Sequence, residues 1–250
     1  MKASPAISFG KVSKAFGNID VLKDVSFEIS EGEALCILGR SGTGKSVTLK
    51  LIIGLLKPDE GTVCIQDQNI VGIEQDKLSA VRRRMGFLFQ SAALFDSFSV
   101  NDNLALPLER FTKKSKAEIN SLIEQRLKDV GLEQDRYKMP VELSGGMRKR
   151  AGLARALILD PHILLVDEPS SGLDRITSSE IDELLLSIKK KDKTTMVIVT
   201  HDIREARRVG DRIAVLDQAG LVGIGTAQEL EGHGNELVKA LVSEKDCHAH

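Results

Sequence analysis

Gly39-Arg40-Ser41-Gly42-Thr43-Gly44-Lys45-Ser46 has the form G-x-x-x-x-G-K-[ST], a loop suited to holding phosphate. The apolar run Ala34-Leu35-Cys36-Ile37-Leu38 before it reads as a buried strand. Val47-Thr48-Leu49-Lys50-Leu51-Ile52-Ile53 after it reads as a helix. Strand, glycine loop and helix form the context that the motif requires. Glycines let backbone N–H groups approach phosphate oxygens without a Cβ in the way. The helix N-terminus adds partial positive charge at the same point. On this reading Gly39, Arg40, Ser41, Gly42, Thr43, Gly44, Lys45, Ser46 and Val47 line the phosphates. Lys45 reaches the outer phosphates, and the Ser46 hydroxyl is a ligand for Mg²⁺.

Outside this loop the totals set bounds. A chain of 250 residues is long enough for one large domain or one domain with an insertion. Hydrophobic residues at 42% and charged residues at 28% are an ordinary soluble globular composition. The net charge of -1 gives no electrostatic case for nucleic acid as a partner. The longest apolar runs are about six residues, far short of the roughly 20 that span a membrane. Met1-Lys2-Ala3-Ser4-Pro5 is followed by no apolar signal region, so a cytoplasmic location is expected. Any action at a membrane would then go through a partner. Cys36, Cys64 and Cys247 contain no C-x-x-C and suit a reducing compartment.

Residues 6–35 alternate apolar and polar, a strand period, with a turn signal at Gly17-Asn18. Gly61-Thr62-Val63-Cys64-Ile65-Gln66 reads as a further strand. Residues 76–84 read as a basic helix whose Arg82-Arg83-Arg84 run is a solvated face, and Met85 to Gln90 as a strand ending in the glutamine. Residues 99–155 read mostly as helix. Ile119, Leu122, Ile123, Leu127 and Val130 show i, i+3, i+4 spacing, and Gly131 is the expected stop. A helical block inside an α/β chain suggests an inserted helical subdomain. The α/β pattern returns from 156. Ile163 to Val166 is a strand ending in Asp167-Glu168, 177–190 a helix, and Thr194 to Thr200 a strand ending in His201. Residues 212–216 read as a strand and 227–244 as a terminal helix. The closing Asp246-Cys247-His248-Ala249-His250 reads as a frayed tail.

In an open α/β sheet, ligands bind beyond the carboxyl ends of the parallel strands. Here three such ends are chemically loaded: residues 39–46, Asp167-Glu168 and His201. If the strands are parallel neighbours, the ends share one edge and look like a nucleotide hydrolysis site. Phosphoryl transfer is catalysed mainly by positioning and charge stabilisation. Asp167 would support the Mg²⁺ held by Ser46. Glu168 would orient or deprotonate the attacking water, His201 would contact the terminal phosphate, and Gln90 would touch Mg²⁺ or the water.

Leu143-Ser144-Gly145-Gly146-Met147 narrows the class. Together with the phosphate loop, the Asp-Glu pair and the downstream histidine, it makes the chain resemble the nucleotide-binding subunit of ABC transporters over nearly its whole length. The motifs occur in family order: the phosphate loop, Gln90, the signature at 143–147, Asp167 with Glu168, Ser171-Gly172-Leu173-Asp174, and His201. The resemblance implies a P-loop NTPase (RecA-like) α/β core with an N-terminal antiparallel β layer and an inserted helical subdomain. The core would span about 5–90 and 156–225, the subdomain about 91–155, and a C-terminal helix and tail about 226–250. It implies ATP and Mg²⁺ as ligands, with Phe16 stacking on adenine where relatives usually have tyrosine. It also implies Ser144, Gly145 and Gly146 facing the ATP of a second copy, and integral membrane permeases as partners. Met147 stands where many relatives carry glutamine.

Within the family, residues 39–50, Phe89-Gln90-Ser91-Ala92-Ala93-Leu94-Phe95-Asp96 and Leu143 to Arg150 are similar to the Mla/Mce-type lipid transporters. That resemblance implies phospholipid movement across or between membranes of the bacterial envelope, from the cytoplasmic face of the inner membrane. It also brings MCE-domain proteins as partners and, in some relatives, a STAS-domain subunit. An importer of a polar solute such as an amino acid is the alternative. A soluble ABC switch protein would need long coiled-coil inserts or a second cassette, and a GTPase would need N-K-x-D; this chain has none of these, and neither a P-loop kinase nor a GTPase explains 143–147.

Overall fold

The chain opens on a hairpin, β1 (Ile7–Phe16) and β2 (Ile19–Ile29), paired antiparallel across Gly17-Asn18. These elements come from a computed structural model that describes residues 4–243. β3 (Ala34–Leu38) leads through the glycine loop into α1 (Lys45–Ile52). β4 (Glu60–Ile65), β5 (Gln68–Asn69), α2 (Gln75–Arg82) and β6 (Met85–Leu88) follow. Three helices come next, α3 (Val100–Phe111), α4 (Lys116–Asp129) and α5 (Gly145–Leu157). The chain then alternates again: β7 (Ile163–Asp167), α6 (Arg175–Asp192), β8 (Thr195–Val199), α7 (Ile203–Val209) and β9 (Arg212–Asp217). β10 (Gly220–Gly225), α8 (Ala227–Glu231) and α9 (Glu236–Val242) complete it.

Two sheets result. β2-β1-β4-β5 is antiparallel, and β10-β9-β3-β8-β7-β6 is parallel except for its edge strand β10. Side chains alternate across a strand. Leu35 and Ile37 of β3 therefore enter the cluster shared with the antiparallel sheet, while Ala34, Cys36 and Leu38 enter the cluster on the opposite face. β7 and β8 divide in the same way, Leu165 and Val197 to one side, Leu164 and Ile198 to the other. With both faces covered, these strands read as unbroken apolar runs. Pairing of Ile37 with Val199, and of Val199 with Asp167, brings the carboxyl ends of β3, β8 and β7 to one edge.

The helices have local causes. Ser115 and Glu118 form a reciprocal capping box on α4, and Asp174 caps α6 by accepting from the N–H groups of Ile176 and Thr177. α5 divides its sides between two cores. Leu153 and Leu157 pack behind the parallel sheet, whereas Ala151, Ala154 and Ile158 pack with α3 and α4.

Several expectations need correction. The strand ending in Gln90 stops at Leu88, and Gln90 lies beyond it in a turn. The single helix over 227–244 is two short helices, broken around Gly232-His233-Gly234, where glycines remove helix propensity. β10 was not read from the sequence. Arg82 is not a solvated side chain: it donates to the carbonyls of Ile53 at 2.9 Å and Gly54 at 2.7 Å, satisfying the end of α1. Cys247, His248 and His250 lie outside the described residues. Among the described residues no helix is long and apolar enough to cross a membrane.

Candidate active site

The turn from β3 into α1 is set by Gly44. Its φ is +94°, and a Cβ there would stand 2.6 Å from the carbonyl oxygen of Val21 on β2. Only glycine meets both conditions without strain. The hairpin therefore sits against the loop. At the hairpin's tip Phe16 is half exposed, with the Lys14 ammonium 5.4 Å from its ring centroid. Arg40 and Ser41 lie exposed on the outer turn of the loop, and Thr43 Oγ1 donates to the Arg40 carbonyl at 2.9 Å.

Lys45 is buried, and its ammonium donates to the carbonyls of Gly39 at 2.9 Å and Arg40 at 3.0 Å. The loop is thus curled around a positive charge, with the α1 N-terminus beside it. Val47 follows, partly buried against the core between the sheets. Ser46 Oγ donates to Asp167 Oδ1 at 2.9 Å, so two hard oxygen ligands from β7 and α1 meet. Such oxygens suit Mg²⁺, which takes one or two protein ligands and completes its shell with phosphate oxygens and water. The cradle and its buried ammonium suit the phosphates.

Glu168 follows Asp167 with φ +50°, a left-handed conformation uncommon outside glycine. Its N–H donates to the Val199 carbonyl at 2.8 Å, and its carboxylate Oε2 meets Nδ1 of the exposed His201. Gln90 Nε2 donates to Ser171 Oγ at 3.3 Å, on the stretch that follows Glu168. Lys45, Ser46, Asp167, Glu168, His201 and Gln90 therefore come from four strand ends on one edge.

Ser144, Gly145 and Gly146 sit elsewhere. Ser144 caps α5 by accepting from the Met147 N–H at 3.2 Å. Within 4 Å, a Cβ on Gly145 would meet only Leu173, and one on Gly146 only Thr177. The signature thus packs on the start of α6 rather than on its own phosphate loop.

Three important residues escaped the sequence reading. Lys149 is almost wholly buried, and its ammonium donates to the Glu168 carbonyl at 2.6 Å. Burial pulls its pKa down, against the nearby charges of Glu205, Asp167 and Glu168. Asn103 is fully buried and ties the 95–99 turn together, accepting from the Phe95 N–H and donating to the carbonyls of Phe95, Phe98 and Ser99. Arg155 donates to the carbonyls of Ala93 at 2.7 Å and Ala92 at 3.1 Å, two residues with positive φ just after Gln90. For Lys149 and Arg155 the only signal was their place in a basic, helical stretch.

A family model described as "ABC transporter" matches residues 22–171. The chain belongs to that family. The cassette is 44% identical to a probable ribonucleotide transport ATP-binding protein of Mycobacterium leprae, over 97% of this chain and 70% of that one. It is 37% identical to a methionine import ATP-binding protein of Clostridioides difficile, over 96% and 74% of the two chains. It is 40% identical to the chloroplastic protein trigalactosyldiacylglycerol 3 of Arabidopsis thaliana, over 91% and 70%. Among solved structures, a dimeric ATP-binding cassette in a post-hydrolysis state with ADP and Pi aligns with a TM-score of 0.82 and 36% identity. That alignment covers 88% of this chain and 98% of that one. The cassette is an ATPase subunit of a transporter, with a P-loop NTPase fold and ATP as its nucleotide.

Proposed function

We propose that the cassette binds Mg-ATP between its own phosphate loop and the signature of a second copy, and that hydrolysis drives a permease moving phospholipids in a bacterial envelope. The observation that carries the chemistry is the shared edge, with Ser46 bonded to Asp167 and Glu168 against His201. In this reading Phe16 stacks on adenine, while the residues from Gly39 to Val47 enclose the phosphates. Lys45 offsets charge on the outer phosphates. Ser46 and Asp167 hold Mg²⁺, whose bound charge would draw electron density from the phosphate oxygens, and Gln90, just beyond the end of β6, would join them or the water. Glu168 takes the proton as water adds to the γ-phosphorus and the bond to the bridging oxygen breaks. His201 orients that carboxylate and reaches the terminal phosphate.

The signature's position on α6, away from its own loop, supports a shared site. Ser144 and the α5 N-terminus would close the partner's nucleotide with a hydroxyl, backbone N–H groups and a helix dipole. ATP would then hold the dimer together, and hydrolysis would release it. A groove of about 600 Å³ lined by Phe87, Phe89, Phe95, Phe111, Arg83 and Arg110 suits a cytoplasmic permease helix with apolar and acidic side chains. Arg83 and Arg110 both stack on the exposed Phe111 ring there. Such docking would hold the cassette at the cytoplasmic face of the inner membrane. MCE-domain proteins and a STAS-domain subunit would complete the assembly.

Lipid as cargo is supported by the Mla/Mce-like segments and by a relative named for a glycolipid. The likeness to a methionine import protein favours the second reading, a polar-solute importer. The experiment purifies the cassette with its permease. Glu168→Gln should retain ATP and stop turnover, because an amide takes no proton. Near-normal turnover in that variant sinks the chemistry. Gene deletion should disturb envelope lipid distribution and detergent resistance. Loss of uptake of one polar nutrient with lipids unchanged decides for the importer.

A further inference from the structure

A lysine on a helix is ordinarily solvated, because burying an ammonium ion without partners is costly. Lys149 is 5% exposed, on the side of α5 turned toward the end of β7. Its ammonium reaches the carbonyl of Glu168 at 2.6 Å, which also accepts from the Ser171 N–H at 3.3 Å. An apolar side chain would fill this position without the cost of a buried charge. The ammonium must therefore be judged by what it holds.

It holds a residue in a left-handed backbone conformation. Glu168 carries a positive φ, and its amide is already fixed by Val199 of β8. With the N–H tied to the sheet and the C=O tied to Lys149, the plane after Glu168 cannot swing. The carboxylate is then kept beside His201. The tie comes from outside the sheet. Five positions separate Lys149 from Ser144, about 7.5 Å along α5 at the usual helical rise. One rigid helix therefore carries the cap aimed at the partner's nucleotide and the donor that fixes Glu168 in its own site.

We propose that Lys149 is a positioning residue for hydrolysis, its ammonium fixing the Glu168 carbonyl so that the carboxylate is aligned only while α5 is seated. This rests on the reading of Glu168 as the group that acts on the attacking water. Docking of the signature on a second copy then reaches the chain's own Glu168 through a single side chain. Half-site behaviour follows, since displacing α5 in one protomer loosens that protomer's glutamate.

The test uses the full chain in complex with its permease. Lys149→Met keeps the length of the side chain and removes the donor. Lys149→Arg keeps a donor and the charge. Turnover, KM for ATP, affinity for a fluorescent ATP analogue and Tm are measured for each. Lys149→Met should lower kcat tenfold or more, with KM and affinity within twofold and Tm unchanged or higher. Lys149→Arg should recover at least a third of the wild-type kcat. In a Glu168→Gln background, Lys149→Met should leave the residual turnover unchanged, because the two act as one unit. If Lys149→Met does not fold, Lys149→Leu, which also lacks a donor, is read in its place. Turnover of Lys149→Met within twofold of wild type, beside an inactive Glu168→Gln, overturns this proposal alone. A parallel fall in kcat, affinity and Tm that Lys149→Arg does not rescue also overturns it, by showing a packing role. Normal turnover of Glu168→Gln overturns instead the reading on which it rests.

Discussion

Replacing Gly146 by alanine is expected to destabilise the cassette even though alanine is the better helix former. A Cβ at this position would stand 2.3 Å from Cγ2 of Thr177. Carbon atoms pack at about 3.5–4.0 Å, so one side must yield by more than about 1 Å. Thr177 is poorly placed to do so. Its Oγ1 donates to Asp174 Oδ2 at 2.7 Å and its N–H to Asp174 Oδ1 at 3.0 Å, the bonds that begin α6. Turning its methyl away swings the hydroxyl off the cap. Overpacking of this kind costs about 1–3 kcal/mol. The gain in helix propensity returns at most about 1 kcal/mol, and less at the second residue of a helix. The net loss is about 1–2 kcal/mol, or a Tm lower by roughly 2–8 °C for a chain of this size. Thr177→Ser deletes the offending methyl and keeps the hydroxyl. Added to Gly146→Ala it should restore most of the loss, with a coupling of about 1–2 kcal/mol in a double-mutant cycle. The assay is thermal and urea unfolding of the four proteins. A Gly146→Ala chain as stable as wild type, or a loss that Thr177→Ser leaves untouched, would refute the packing argument.

Lys45→Ala removes the buried ammonium around which the loop curls and should lower ATP turnover by 100-fold or more, on the order of 3 kcal/mol in the barrier; turnover within a few fold of wild type would contradict the role given to it. Glu205 is buried on α7, and its pKa is pushed up to about 8, mainly by burial and further by the Asp182 carboxylate, against the nearby hydroxyls of Thr200 and Ser170, which favour the charged form. Because the folded value lies above the ordinary 4.5, the stabilising contribution is complete below 4.5 and is lost as pH rises through about 8. Glu205→Gln cannot ionise, so its Tm relative to wild type should climb between pH 5 and pH 9; parallel curves would count against a protonated Glu205.

Much of the site is local in the chain and so legible in it. The phosphate loop needs a strand, glycines, a lysine and a hydroxyl in one stretch, and the run from Ala34 to Ile53 supplies them consecutively. β7 and β8 are covered on both faces, so they stand out as apolar runs ending in Asp167 and just before His201. Other elements gave weaker signals. In β10, Gly220, Gly223 and Gly225 interrupt the alternation that marks a strand, and only pairing with β9 makes it one.

The sequence by itself determined which chemistry this protein carries, because phosphate recognition depends on residue types at short spacings. The tertiary structure alone decided which polar groups are buried and what they hold. In the sequence Arg148-Lys149-Arg150 are three basic residues in a row, and nothing in the run sets the lysine apart. Packing of α5 over the end of β7 takes Lys149 out of water and sets it on the Glu168 carbonyl, while Arg148 stays exposed. Asn103 could be any helical asparagine until the 95–99 turn folds onto it. Burial depends on what distant segments bring to a position, and no local pattern encodes that.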